Sequence, residues 1–187
     1  MQNGDPLALR HTGPTGLDEL QQQILRVYSA SHADQMHNPW FHPDQFWDRL
    51  INLYAPTRAF DLVSGWRDEE MVGYAFGSAR DTDNPWPEIR RVLPHLQPDQ
   101  PVYIFREFAV HPDWQRRSYG HEIHDELLRN REEQVAQLLV RPDNGPALAA
   151  YHSWGWVKAT TKQPFPDSPV FDLLILDLTV RRSVKDD

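Results

Sequence analysis

Two stretches of this chain combine residue types at spacings that suit chemistry. The first is Val110-His111-Pro112-Asp113-Trp114-Gln115-Arg116-Arg117-Ser118-Tyr119-Gly120-His121. Arg116 and Arg117 offer guanidinium groups that match phosphate oxygens, and Gly120 allows a close backbone approach. The stretch reads as the end of a strand turning into a helix. A helix start adds unpaired N–H groups and the positive end of the macrodipole, so a compact loop there suits an anion. The plain alternative is a strand-to-helix turn with two solvated arginines. The second stretch is Asn144-Gly145-Pro146-Ala147-Leu148-Ala149-Ala150-Tyr151, continuing to Trp154-Gly155-Trp156. Asn144 can cap the helix that Pro146 opens, and Gly155 can end it in the left-handed conformation. Asn144 and Tyr151 lie about two helical turns apart and project from nearly one face. That directs a phenol back toward the anion-binding turn, unless the ring simply packs on a sheet.

A third pattern is weaker. His121-Glu122-Ile123-His124 lacks the His-Glu-x-x-His spacing that brings two imidazoles to one metal. The pair at i and i+3 reads as a solvated helix face, and no metal is expected.

The elements that must position these residues follow from periodicity. A short strand at Leu7–His11 precedes a helix from about Leu17 to Ala33, striped by Leu17, Leu20, Ile24, Val27 and Tyr28. A second helix opens near Pro43 and carries Phe46, Trp47, Leu50, Ile51 and Tyr54 until Pro56. Strands Ala59–Gly65 and Met71–Ser78 flank a polar turn, Trp66 to Glu70. Four prolines make residues 81–100 an irregular connection, with one helical turn around Ile89–Leu93. Then come strand Val102–Val110, helix Tyr119–Asn130, strand Gln134–Arg141, helix Pro146–Ser153, and strands Trp156–Thr161 and Val170–Leu178. Leu173 to Leu176 is apolar on both faces, as inside a sheet. The expectation is a single α/β domain over residues 1–187 built on a mixed sheet, with Arg181–Asp187 a frayed tail.

Composition narrows the class. The 187 residues match one domain, and 40% hydrophobic with 25% charged residues is ordinary globular usage. A net charge of −8 argues against non-specific nucleic-acid or anionic-membrane binding. Zero cysteines exclude a disulfide framework, a thiolate metal cage and a cysteine nucleophile. No apolar run approaches the roughly 20 residues of a membrane span, and the start lacks a signal pattern, so a cytoplasmic protein is expected.

The two chemical stretches together resemble the GNAT superfamily of acetyl-CoA-dependent N-acetyltransferases. Gln115-Arg116-Arg117-Ser118-Tyr119-Gly120 is similar to that family's (Gln/Arg)-x-x-Gly-x-(Gly/Ala) pyrophosphate loop, preceded by its Val-x-Pro strand end. Asn144 to Trp156 is similar to its Asn-x-x-Ala-x-x-x-Tyr-x-x-x-Gly-(aromatic) segment, every spacing kept. The order of elements fits from about Leu7 to Leu178. Ser118 stands where the loop has its first glycine. If that site needs a positive φ the serine carries a modest cost, and its side chain can crowd the pyrophosphate or hydrogen-bond it. Ile104 and Leu139 occupy the positions where some members carry a glutamate base.

The resemblance implies a mixed, mostly antiparallel central sheet flanked by helices and splayed between its fourth and fifth strands, where acetyl-CoA lies. Its pantetheine would pair with backbone around Phe108, Ala109 and Val110. Its pyrophosphate would rest on Arg116, Arg117, Ser118, Tyr119, Gly120 and His121, with Asn144 reaching the pantetheine arm. Tyr151 matches the position commonly used as general acid toward the departing thiolate. Glu107 is the nearest carboxylate and the candidate base, directly or through water, with pairing to Arg106 or another arginine as the alternative. Trp40, Phe41, Trp47 and Trp86 fall on segments that overhang the acceptor pocket in this fold, with Trp40 and Phe41 the candidate substrate contacts. They form either an aromatic site for a small primary amine or a hydrophobic staple. Protein or peptide acetylation, a longer acyl donor and a non-catalytic acyl-CoA-binding module are the alternatives. The oligomeric state is open, a homodimer among the options.

Overall fold

The computed structural model describes residues 7–164 and 169–180, so the tail expected at Arg181–Asp187 lies outside the described residues. In chain order the elements are β1 (Ala8–Thr12), α1 (Gln21–Ser31), α2 (Pro43–Arg49), β2 (Asp61–Arg67), β3 (Glu70–Arg80), α3 (Trp86–Val92), β4 (Val102–Val110), α4 (Tyr119–Leu127), β5 (Val135–Val140), α5 (Gly145–Ser153), β6 (Val157–Lys162) and β7 (Phe171–Asp177). The strands hydrogen-bond in the order β1-β2-β3-β4-β5-β7-β6. This is an α/β fold with a seven-stranded, mostly antiparallel sheet. Its β4 and β5 run parallel, through the register Tyr103↔Ala136 and Ile104↔Gln137 in the first half of β4. No helix among the described residues is long and apolar enough to cross a membrane.

The chain divides into two compact units, Met1–Ser78 with Glu107–Arg129, and Ala79–Arg106 with Asn130–Asp187. In the first, Ile24, Val27 and Tyr28 of α1, Phe46 of α2, Leu62 and Trp66 of β2, and Met71, Tyr74 and Phe76 of β3 share one buried cluster. Apolar residues at three- and four-residue steps make one face of α1 drier than the other, and burial of that face holds the helix. Leu17 enters the same core from between two 3-10 turns, so the expected long first helix begins later, at Gln21. Pro43 opens α2, which runs into a π-helical turn at Leu50–Tyr54, where Ala55 N–H reaches back to Leu50 O at 2.8 Å. The β2–β3 pairing continues to Arg67↔Glu70, so the polar turn shrinks to Asp68 and Glu69, with Asp68 left-handed at φ 53°. Trp66 leaves the turn because its ring is buried and its indole N–H donates to Ser64 Oγ at 2.8 Å.

Gly65 and Gly73 face each other across β2 and β3. A Cβ on Gly65 would lie 2.8 Å from Ile123 Cδ1, and one on Gly73 would lie 2.7 Å from Ala109 O. Two side-chain-free positions therefore let α4 seat Ile123 on the sheet.

The second unit has its own core, made by Trp86 and Ile89 of α3, Leu96, Val102 and Ile104 of β4, Val135, Ala159, Leu173 and Ile175. The helical turn expected at Ile89–Leu93 is a longer helix, with Pro87 in its first turn, where a missing N–H is harmless. β7 pairs with both β5 and β6, and Leu173 to Leu176 are buried as their unbroken apolar run requires.

Candidate active site

β4 ends at Val110, and the next residue is pinned by His111 N–H donating to Val72 O at 2.9 Å. A 3-10 turn over Pro112–Trp114 follows, and Gln115 Nε2 returns to Val110 O at 3.1 Å. Arg116 (φ 60°) and Ser118 (φ 65°) are both left-handed, and α4 starts at the next residue. The backbone N–H groups from Arg116 to Gly120 have no acceptor among the described residues. Left-handed residues at alternate positions suit a turn of successive N–H groups toward one side, and this loop is the candidate anion cradle. The chain around it is packed. Arg117 lies 5.1 Å over the Trp114 ring, and Trp114 Nε1–H donates to Glu70 Oε1 at 3.3 Å. A Cβ on Gly120 would come 2.9 Å from Phe108 Cζ, so glycine lets the first helical turn approach β4.

Glu107, Phe108, Ala109 and Val110 occupy the last part of β4. The Glu107 side chain is a quarter exposed, and His32 Nε2 lies 3.9 Å from its Oε1. Burial holds the Glu107 carboxyl above its usual range, against the opposing pull of His32, the Phe108 N–H and Arg49. His32 follows α1 directly and stacks on Tyr28 at 4.3 Å, with Phe41 at 5.8 Å and an interplanar angle of 23°. Tyr28 stacks in turn on Phe46 at 3.9 Å. Tyr74 of β3 is fully buried, and its hydroxyl has no hydrogen-bond partner among the described residues. Burial and the Glu107 charge push both the Tyr28 and Tyr74 phenols well up. Arg49 donates to Trp40 O at 2.9 Å and lies 4.3 Å over the Trp40 ring, which is 51% exposed.

The groups that act on Glu107 are the His32 imidazole, the Phe108 N–H and, more weakly, Arg49, an arginine other than Arg106. Sequence reasoning missed His32, Arg49 and Tyr74, and read Tyr28 as core alone. The aromatic set also divides. Trp47 packs against the first core, and Trp86 is buried in the second with its indole N–H on Gln100 O at 3.1 Å. Trp40 is exposed, and Phe41, like Trp47, is partly buried.

In the second unit, Asn144 Oδ1 accepts from Ala147 N–H at 3.2 Å and caps α5, while Gly155 ends the helix at φ +93°. Tyr151 is buried, edge-on to Phe105 (6.3 Å) and Trp154 (5.8 Å), with Trp156 at 6.0 Å. This fixes the ring direction, as three aromatic neighbours leave it little rotational freedom.

His124 corrects the reading of a solvated helix face: it is fully buried. Its Nδ1 lies 2.8 Å from Asp125 Oδ1, and His121 Nε2 lies 3.3 Å from Asp125 Oδ2, so one carboxylate serves both rings. The three side chains bring ligand atoms within 4.8 Å of one another, but hydrogen bonding to Asp125 already explains the cluster.

The chain is 15% identical to a protein from Desulfovibrio desulfuricans described as of the GNAT family, covering 92% of this chain and 99% of that one with a TM-score of 0.65. It is 18% identical to the ribosomal-protein-S18-alanine N-acetyltransferase of Escherichia coli, covering 92% and 94% with a TM-score of 0.62. It is 12% identical to yncA of Salmonella typhimurium, solved with its cofactor acetyl-CoA, covering 93% and 95% with a TM-score of 0.57. These likenesses concern the fold. No curated protein matches the chain. The model of the acetyltransferase (GNAT) family matches residues 22–156, a span that includes the anion cradle, the Glu107 strand and the Asn144–Tyr151 helix. That match covers most of the sequence, and the chain therefore belongs to the acetyltransferase (GNAT) family, an N-acetyltransferase by class.

Proposed function

We propose that the chain moves the acetyl group of acetyl-CoA to the primary amine of a small molecule, by direct attack in a ternary complex. The observation that carries the donor half is the cradle from Arg116 to Gly120: consecutive N–H groups without acceptors, two left-handed residues and two arginines. That set fits a pyrophosphate, and the acetyl-CoA bound by the Salmonella relative supports the choice of donor. In this reading Arg116, Arg117, Ser118, Tyr119, Gly120 and His121 hold the pyrophosphate. The backbone of Phe108, Ala109 and Val110 holds the pantetheine. Asn144 spends its side-chain oxygen on capping α5 and keeps its NH₂ for the same arm.

The bound donor supplies a thioester carbonyl. Tyr151 gives a proton to the thiolate as it leaves, and its aromatic neighbours hold the phenol in one direction. The acceptor enters beside Glu107, against Trp40 and the partly exposed ring of Phe41. A carboxylate next to aromatic faces favours an ammonium group, and the net charge of −8 attracts cations. In this reading the chain acts as a single functional domain. The cytoplasm, which holds acetyl-CoA, is its place in this reading.

Two measurements test it. Acetyl-CoA at 100 times its Kd stabilises a binding protein by about 2.7 kcal/mol, which for a chain of this size raises Tm by roughly 5–10 °C. Acetyl-CoA consumption is then followed across alkylamines, arylalkylamines, polyamines, aminoglycosides and peptides. Turnover of a small amine supports the proposal. A shift without turnover of anything marks an acyl-CoA-binding module, and turnover of peptides alone moves the acceptor to proteins. No shift and no turnover overturns the reading.

A further inference from the structure

The glutamate on β4 is the obvious base, yet the hydrogen bonds around His32 point to a different division of labour. His32 Nδ1 lies 3.1 Å from the Tyr28 carbonyl oxygen and 3.0 Å from Ser31 Oγ. The Ser31 hydroxyl donates to that same carbonyl at 3.0 Å. The Tyr28 carbonyl also accepts the His32 backbone N–H at 3.0 Å, and the contacts of Nδ1 are met when the ring hydrogen of the neutral imidazole sits there and points to that carbonyl. Nε2 is then a bare lone pair, and it faces Glu107 Oε1, also an acceptor, at 3.9 Å. Two acceptors confront each other with no hydrogen between them, too far apart for a hydrogen bond and wide enough for a donor to bridge. The imidazole stacks on Tyr28 and on Phe41, at interplanar angles of 25° and 23°.

We propose that His32 Nε2 takes the proton the acceptor ammonium must lose, and that Glu107 Oε1 orients that ammonium and then faces the imidazolium. The inference rests on the reading of this nook as the acceptor side. In the step, one N–H bond of the ammonium breaks, the N–H bond at Nε2 forms, and the positive charge passes from the substrate to the ring. The neutral amine is left as the nucleophile, and the imidazolium returns its proton to solvent. A neutral imidazole nitrogen with a free lone pair is a competent proton acceptor for this step. Around the pair stand the Tyr28 phenol from α1, Arg49 from α2 and the Tyr74 phenol from β3. Both phenols stay neutral through the relevant range. Arg49 carries a guanidinium, which does not take or give the proton.

The test uses the full chain, acetyl-CoA and 2-phenylethylamine, a primary amine with an aromatic body, or the best amine of the panel above. Long-range ¹H–¹⁵N correlation on histidine-labelled protein should show neutral His32 with its hydrogen on Nδ1. His32→Gln should lower kcat/KM by at least about 100-fold and erase the acidic limb of its pH profile. Added imidazole should restore part of the rate to His32→Ala. Glu107→Gln should keep that limb while raising the KM of the acceptor, because the ammonium loses the carboxylate that orients it. If His32→Gln keeps the limb while Glu107→Gln erases it, the glutamate is the base and the proposal is overturned. An Nε2–H tautomer overturns it as well. If no amine is acetylated at all, the acetyl-transfer reading fails and this inference fails with it, a result distinct from either of those two.

Discussion

Replacing Ser118 by glycine asks whether the cradle depends on backbone shape or on a side chain. Ser118 caps α4 at φ 65° and ψ −4°, and its hydroxyl makes no capping hydrogen bond. A left-handed non-glycine residue carries a cost of about 1–2 kcal/mol. Glycine removes that cost but loosens the unfolded chain, which returns about 0.4–1 kcal/mol of the gain. The balance predicts that Ser118→Gly stabilises the protein by up to about 1.5 kcal/mol. At roughly 2–4 °C per kcal/mol for this chain length, Tm rises by no more than about 6 °C. Ser118→Val works in the opposite sense, because a β-branched residue fits poorly at positive φ and loses about 1–3 kcal/mol. Differential scanning calorimetry reads both variants. Titration calorimetry with acetyl-CoA reads the cradle itself: the N–H groups are unchanged in Ser118→Gly, so Kd should hold or tighten. A glycine variant that melts lower and binds the donor tenfold more weakly would refute the reasoning, and would make the hydroxyl a ligand contact.

Other perturbations have outcomes of different kinds. Tyr151→Phe keeps the ring contacts and should melt near the parent, while kcat drops about 10²–10⁴-fold with little change in the KM for acetyl-CoA; an unchanged kcat in a chemistry-limited assay removes the phenol from the mechanism. Gly73→Ala puts a Cβ 2.7 Å from a backbone oxygen that cannot step aside and 3.1 Å from Ile123 Cδ1; a loss of about 1–3 kcal/mol is expected, and an unaltered Tm would mean α4 does not seat as described. His11 lies 2.8 Å from Asp61 and 3.1 Å from Glu126. Burial pulls its pKa down, but the two carboxylates outweigh that and leave it raised. Its contribution is therefore complete below about pH 6.5, the unfolded value, and fades as pH rises through the folded value. The Tm gap between the parent and His11→Gln should shrink over that rise, and a gap that widens would contradict the pairing.

Much of the molecule was legible from the chain alone. Apolar spacing located α1 and α2, β4 matched its expected bounds from Val102 to Val110, and Pro146 with Gly155 marked both ends of α5. The cradle could be read because its chemistry is local: a strand end, two arginines, a small residue and a helix start within a few positions. The same holds for the Asn144 cap, whose acceptor and donor lie on neighbouring residues. The boundaries that moved were those where packing outweighed propensity. Trp66 left the turn for the core, and Trp86 with Ile89 drew a full helix out of a proline-rich connection.

What the tertiary structure alone decided is which groups face Glu107. His32 follows a helix whose pattern speaks only of its buried face, and nothing in its spacing links it to a strand far along the chain. Its tautomer depends on the Tyr28 carbonyl and Ser31, and its plane on Tyr28 and Phe41. The burial of His124 escaped the sequence for the same reason. Periodicity reports the average polarity of a face, while the water lost by one imidazole, and the carboxylate it meets, depend on which other elements come to rest against it.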